Sequence, residues 1–157
     1  MKYFAYGSNM DPQQMKERKV AFTERIAATL IGYELRFHRK WKKYPGYCVA
    51  NIVPKLQGIV EGALYTIPDN NIAKLDVYEG YPREYSRKDV RVTLHDHSEV
   101  STVVYISNPK QIQENLPIHT DYLSHVLEGK DIVSNTYFEF LESFRARIGS
   151  EENATIS

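Results

Sequence analysis

Lys2-Tyr3-Phe4-Ala5-Tyr6-Gly7-Ser8-Asn9-Met10-Asp11-Pro12 is the stretch whose reading decides the fold. Its opening residues, Lys2 to Ala5, read as a short strand, and Tyr6-Gly7-Ser8-Asn9 ends that strand because Gly, Ser and Asn favour turns. Asp11-Pro12 then marks a helix start, since Asp suits an N-cap and Pro loses nothing at the first helical position. A strand passing through a tight loop into a helix presents successive backbone N–H groups. Such a nest suits a carboxylate or a developing oxyanion. The same residues also serve as a plain turn, and both readings stand at this point.

Outward from the loop, Ala27 to His38, Tyr47 to Val53 and Gln57 to Thr66 are strand-like runs, rich in apolar and aromatic residues. Pro68-Asp69 opens a short helix in which Ile72, Leu75 and Tyr78 recur at helical spacing, with Gly80 where a C-terminal cap belongs. Arg83 to Leu94 and Val100 to Ser107 predict a hairpin turning through His95-Asp96-His97-Ser98. Two helices are expected near Thr120 to Leu127 and Ser134 to Arg147. The second is amphipathic through Tyr137, Phe138, Leu141 and Phe144. Strands come in runs and do not alternate strictly with helices, which predicts an α+β fold with a curved antiparallel or mixed sheet. The expected organisation is a single domain over residues 1–148 and a flexible tail over 149–157.

A chain of 157 residues can bury a core without disulfide or metal staples. Hydrophobic residues at 42% and charged residues at 25% exclude disordered and fibrous classes. Twenty Lys plus Arg balance twenty Asp plus Glu, so no global field draws the protein to nucleic acid or anionic lipid. No apolar run reaches the length of a membrane span and no signal-peptide core is visible, so a cytoplasmic location away from membranes is expected. The lone Cys48 excludes an internal disulfide and fits a reducing compartment. Twelve Tyr are the departure from average, and they fit either a polar-lined core or a small-molecule pocket.

No G-x-S-x-G elbow, Walker loop, G-x-G-x-x-G or H-E-x-x-H is present. His95 and His97 flank Asp96 as a metal site would require, but a polar hairpin tip is the preferred reading, and no metal or cofactor is expected. Arg36-Phe37-His38-Arg39-Lys40-Trp41-Lys42-Lys43-Tyr44 interleaves bases with aromatics, the pattern that grips single-stranded nucleic acid by charge and stacking. On a neutral chain that partner is disfavoured, and a flap over a pocket is the competing reading. Glu79 stands beside Gly80 at a helix end, where the negative end of the dipole raises a carboxyl toward the working range of a general base. An exposed helix-end Glu is the alternative.

Tyr3-Phe4-Ala5-Tyr6-Gly7-Ser8-Asn9-Met10 closely resembles the N-terminal signature of the gamma-glutamylcyclotransferase superfamily. Leu75-Asp76-Val77-Tyr78-Glu79-Gly80, followed by Tyr85, resembles that family's catalytic-glutamate segment. A weaker likeness continues through Pro117 to Tyr122 and the final helices. The resemblance implies a small mixed β-barrel flanked by helices, and a metal-independent amidine-lyase-class enzyme that releases 5-oxoproline from a small-molecule gamma-glutamyl amide. It assigns Glu79 as the catalytic base and acid, and Tyr6, Gly7, Ser8, Asn9, Met10, Tyr85 and Tyr122 as substrate-binding residues. Asn9 separates the chain from the glutathione-specific branch and points toward dipeptide-type or butirosin-type members. A catalytically silent relative that binds a small molecule in the same pocket is the second reading, and a nucleic-acid binder through Arg36 to Tyr44 the third.

Overall fold

The computed structural model describes residues 1–149. Five strands close into one barrel in the order β1, β3, β2, β4, β5. They are β1 (Lys2–Ala5), β2 (Glu24–Lys40), β3 (Cys48–Thr66), β4 (Tyr85–Thr93) and β5 (Glu99–Ser107). β1 pairs antiparallel with β3, from Lys2 opposite Thr66 to Ala5 opposite Ala63. Its other edge runs parallel to β5, Tyr3 beside Val103, and this pairing makes the sheet mixed. Closure leaves no edge strand to template aggregation. The four-residue β1 is thus held on both sides, and the loop after it leaves the barrel at a defined point.

Side chains of alternate parity fill the barrel. Phe4, Leu30, Ile52, Val60, Leu64, Val92 and Val104 are all buried. Four helices flank it: α1 (Pro12–Glu17), α2 (Ile72–Glu79), α3 (Thr120–Leu127) and α4 (Asn135–Ser143). Asp11 caps α1 by accepting from the Gln13 N–H at 2.9 Å, with Pro12 in the first turn. α3 buries Tyr122, Leu123 and Val126, while α4 buries Tyr137 and Leu141. No helix is long and apolar enough to cross a membrane among the described residues.

The α+β barrel agrees with the strand-rich pattern, but the expected strand bounds and the place of Tyr78 need correction. Tyr47 to Val53 and Gln57 to Thr66 are parts of one continuous strand, β3, and β2 begins at Glu24. The register between Ile31 and Tyr33 shifts, so that Ile59 faces Ile31 while Pro54 faces Tyr33, and the intervening Lys55–Gly58 bulges outward. That bulge carries the turn-favouring residues that read as a break. Tyr78 is not a core position of α2: Leu75 is buried, whereas Tyr78 is 54% exposed beneath the Arg18 guanidinium. His95 and His97 lie in the turn between β4 and β5, as the hairpin-tip reading expects, and His97 has φ of 67°. Of the expected flexible tail, Gly149 donates to the Ile118 carbonyl at 3.1 Å and residues 150–157 lie outside the described residues.

Gly80 ends α2 in the left-handed conformation, φ 65° and ψ 34°, and its N–H returns to the Asp76 and Val77 carbonyls. A Cβ there would crowd the Glu84 side chain. Gly80→Ala is expected to lower stability by about 1–2 kcal/mol, measured as a shifted urea midpoint at unchanged slope.

Candidate active site

The loop after β1 is a single 3-10 turn, Ser8–Met10, closed by Met10 N–H to the Gly7 carbonyl and Asp11 N–H to the Ser8 carbonyl, each 3.1 Å. Buried polar groups cost free energy unless paired, and this turn is paired from every side. The Asn9 carbonyl accepts from the Tyr65 hydroxyl at 2.6 Å, and the Met10 carbonyl from Arg25 at 2.7 Å. The Asn9 amide donates to the Tyr3 hydroxyl at 3.0 Å. Its Oδ1 accepts from Gln14 and from Arg18, each at 2.9 Å. With Met10 and Asp11 N–H groups spent inside the turn and the Ser8 N–H given to the Tyr122 hydroxyl, the N–H groups of this loop that remain are those of Gly7 and Asn9.

A cavity of about 800 Å³ opens at this mouth. Gly7, Ser8 and Asn9 form one wall, α1 contributes Gln14, Arg18 follows directly after α1, and α2 contributes Tyr78 and Glu79. Tyr122 arrives from α3, Tyr85 and Tyr105 from the barrel, and Arg39 and Trp41 from the end of β2. Of the predicted site residues, Tyr6, Gly7, Ser8, Asn9, Glu79, Tyr85 and Tyr122 line this one cavity. Met10 does not: it is fully buried behind the turn and packs on Gly129, so it is a core residue. Its place in the signature reflects packing, because the 3-10 turn points its side chain away from the mouth.

Tyr122 couples the turn to the sheet. Its hydroxyl accepts from the Ala50 N–H at 3.1 Å and from the Ser8 N–H, and burial pushes the phenol up to about 12. A Cβ on Gly7 would sit 2.7 Å from that hydroxyl oxygen and 3.4 Å from the Ala50 Cβ. Gly7 is therefore required by the close approach of Tyr122. Tyr6 donates to the Tyr105 carbonyl at 2.6 Å, and the Tyr105 hydroxyl donates to Asp76 at 2.6 Å. Burial, the largest cause for each, holds Tyr3, Tyr6 and Tyr85 above the ordinary phenol range. They are neutral walls and donors at any working pH.

Glu79 is the last residue of α2, directly before the Gly80 cap. Its carboxyl is raised from the ordinary value chiefly by burial, with Arg18 and Arg39 opposing through their positive charge. The raised direction matches the one expected from sequence, with desolvation as its largest cause. Arg39 is 4% exposed, pairs with Glu84 at 2.7 Å and lies 4.6 Å over the Tyr85 ring. Arg18 and Arg39 escaped the sequence reading as site residues. The i, i+4 spacing of Gln14 and Arg18 on α1 was a usable signal, whereas nothing in the local pattern marks Arg39 as buried.

The basic-aromatic segment is split by the strand. Arg36 pairs with Glu114 at 3.1 Å and Arg39 with Glu84, while Trp41 meets the Tyr122 ring edge-on at 5.6 Å. Trp41, Lys42 and Lys43 stand at the cavity rim, where the flap reading places them, and the segment's charges do not form one continuous basic face. Among the described residues no three His, Cys, Asp or Glu side chains gather to hold a metal. Burial pushes the Cys48 thiol up to about 11, so it offers no thiolate nucleophile near neutrality.

A family model described as gamma-glutamyl cyclotransferase, AIG2-like, matches residues 3–124. Among solved structures, the chain is similar to one titled gamma-glutamyl cyclotransferase, at 23% identity and a TM-score of 0.79, over 99% of this chain and 96% of that one. It is similar to YkqA from Bacillus subtilis at 24% identity and a TM-score of 0.83, over 96% of this chain but 56% of that one. A yeast gamma-glutamyl cyclotransferase specific to glutathione shares the fold at 15% identity and a TM-score of 0.61, over 94% and 96% of the two chains. No curated protein matches the sequence.

Gly7→Ala is expected to destabilise the protein by about 1–3 kcal/mol through overpacking. Adding Tyr122→Phe removes the opposing oxygen, so the double variant should lose less than the sum of the singles by about 0.5–3 kcal/mol, read from a denaturation cycle. Glu79 has a second signature. Because its folded-state value is raised, the folded protein keeps a proton that the unfolded chain releases, and stability falls as pH rises above the ordinary carboxyl value. Glu79→Gln should therefore raise Tm at pH 7 to 8, with the gain vanishing toward pH 4. Thermal scans across that range measure it.

Proposed function

This chain belongs to the gamma-glutamyl cyclotransferase, AIG2-like family, and on that premise we propose that it releases 5-oxoproline from a gamma-glutamyl amide. The carrying observation is convergence: Glu79 from the end of α2 and the Gly7–Asn9 turn from the end of β1 line one cavity. In this reaction the substrate's α-amine attacks its own γ-carbonyl, closes a five-membered lactam and expels the attached amine. Nucleophile and electrophile share one molecule. The protein therefore has to fold the substrate into attack geometry, remove a proton and hold charge on the carbonyl oxygen.

Glu79 is the proton acceptor in this reading and returns a proton toward the leaving nitrogen. A base must be ionised before it acts, and burial favours the neutral acid at Glu79. The opposing charges of Arg18 and Arg39 favour the carboxylate form. Backbone N–H groups of Gly7 and Asn9 hold substrate oxygens at the turn, Ser8 gives its N–H to Tyr122 and borders the substrate from the same wall, and Tyr6, Tyr85 and Tyr122 form the walls. Met10 contributes from behind, by filling the space that fixes the turn. Trp41 with Lys42 and Lys43 borders the path by which the leaving group exits.

Mass-spectrometric detection of 5-oxoproline, over a panel of gamma-glutamyl dipeptides, gamma-glutamylamines and glutathione, tests the reading. Wild-type release is expected from at least one member, and Glu79→Gln should lose turnover by about 10²-fold or more with its circular dichroism unchanged. Full activity in that variant would overturn the role of Glu79. Silence of the wild type over the whole panel would overturn the reaction.

A further inference from the structure

We propose that His125 and Asp11 form a second proton-transfer pair in this cavity, in which His125 protonates the departing amine and Asp11 is the positioning residue that holds its ring. The proposal rests on the cyclotransferase reading above. Its starting point is the count of protons. The substrate's α-ammonium carries three hydrogens and the lactam nitrogen keeps one. The amide nitrogen starts with one hydrogen and leaves as an ammonium with three. As the bond from α-nitrogen to γ-carbon forms and the bond from γ-carbon to the leaving nitrogen breaks, two protons must pass from one nitrogen to the other. One carboxylate carries one proton at a time. A second group that can hold a proton lets the leaving nitrogen be protonated while Glu79 is still taking one up.

His125 has the geometry for that task. On α3 it lies three residues after Tyr122, on the same helical face, and both line the cavity. Its Nδ1 meets Asp11 Oδ2 at 2.7 Å, a contact across 114 residues of sequence. Asp11 follows the Ser8–Met10 turn directly, is 6% exposed, and uses its other oxygen to accept from the Gln13 N–H at 2.9 Å. A carboxylate has no hydrogen to give, so Nδ1 carries the N–H and proton exchange falls to Nε2. Nε2 has no hydrogen-bond partner among the described residues, and the His125 side chain is 37% exposed at the cavity. The buried carboxylate also balances the charge the ring bears when both nitrogens are protonated. His38 offers no such group: its two ring nitrogens meet Glu114 and Asn51, each at 3.1 Å.

In the reaction, His125 Nε2–H donates to the leaving nitrogen as the carbon–nitrogen bond breaks. The ring then regains a proton from the α-nitrogen, passed on through Glu79 or solvent, and no outside reagent is consumed. A tether between α1 and α3 is the competing role for the pair, and the leaving group separates the two. Turnover of a gamma-glutamyl alkylamide depends on protonation of its leaving nitrogen far more than turnover of gamma-glutamyl-4-nitroanilide, whose electron-poor nitrogen departs with little help. His125→Gln is expected to lower kcat on the alkylamide about 10²-fold, at least tenfold more than on the nitroanilide, with KM little changed. Asp11→Asn keeps an oxygen to cap α1 but sets an amide N–H against Nδ1, and should shift the ratio in the same direction. Comparing two substrates on one preparation cancels any loss of folded protein. An equal fall on both substrates, or none, overturns the pair's catalytic role. A wild type inactive on both overturns the cyclotransferase reading and this role with it.

Discussion

The satisfaction of Asn9 is the interaction on which the rest of the molecule depends. This side chain is 4% exposed, yet its carbonyl oxygen takes two hydrogen bonds and its amide gives one, to partners from β1 and α1. Left unpaired at that depth, such groups would cost on the order of 1–3 kcal/mol each. Pairing them requires the barrel to be closed on β1, α1 to start immediately after the turn, and Arg18 to reach back across the mouth. One buried amide thereby ties the fold's closing strand to the wall of the cavity.

The cavity inherits its character from that closure. β1 ends inside the barrel mouth, so the turn after it is backed by the Tyr65 hydroxyl, by Arg25 and by fully buried Met10. The turn is consequently a rigid edge, and Tyr122 seals it to the sheet through the Ala50 N–H. Around the turn the wall is phenolic. Tyrosines lend apolar surface for burial, and the hydroxyls of Tyr3, Tyr6, Tyr65, Tyr105 and Tyr122 are hydrogen-bonded. Charge is admitted sparingly: Arg39 is neutralised by Glu84, and Arg18 lies over Tyr78 while bonding Asn9.

Electrostatics at Glu79 follow from competition between two terms of opposite sign. Desolvation favours the neutral acid, and two guanidinium groups favour the carboxylate. A group that takes up and gives back a proton is served by opposing influences of this kind. Arg39 is buried and paired with Glu84, where screening of its charge by solvent and salt is weak.

What the sequence by itself determined is local. The strand, turn and capped helix start of residues 2–12, the Gly80 stop of α2 and the amphipathic α4 depend on contacts a few residues apart, and turn chemistry, caps and periodicity report those contacts directly. Both signature segments were legible through their resemblance to a family, because each is a short contiguous run. Tertiary structure decided the rest. β3 runs unbroken through Pro54 because a bulge opposite Gly32 absorbs the extra residues, and pairing partners outside the segment make that bulge worthwhile. Arg39 is buried because Glu84 and Tyr85 receive it, Met10 faces the core because the turn rotates it there, and Asp11 meets His125 across 114 residues. Each of these turns on a partner distant in sequence, and local pattern carries no record of a distant partner.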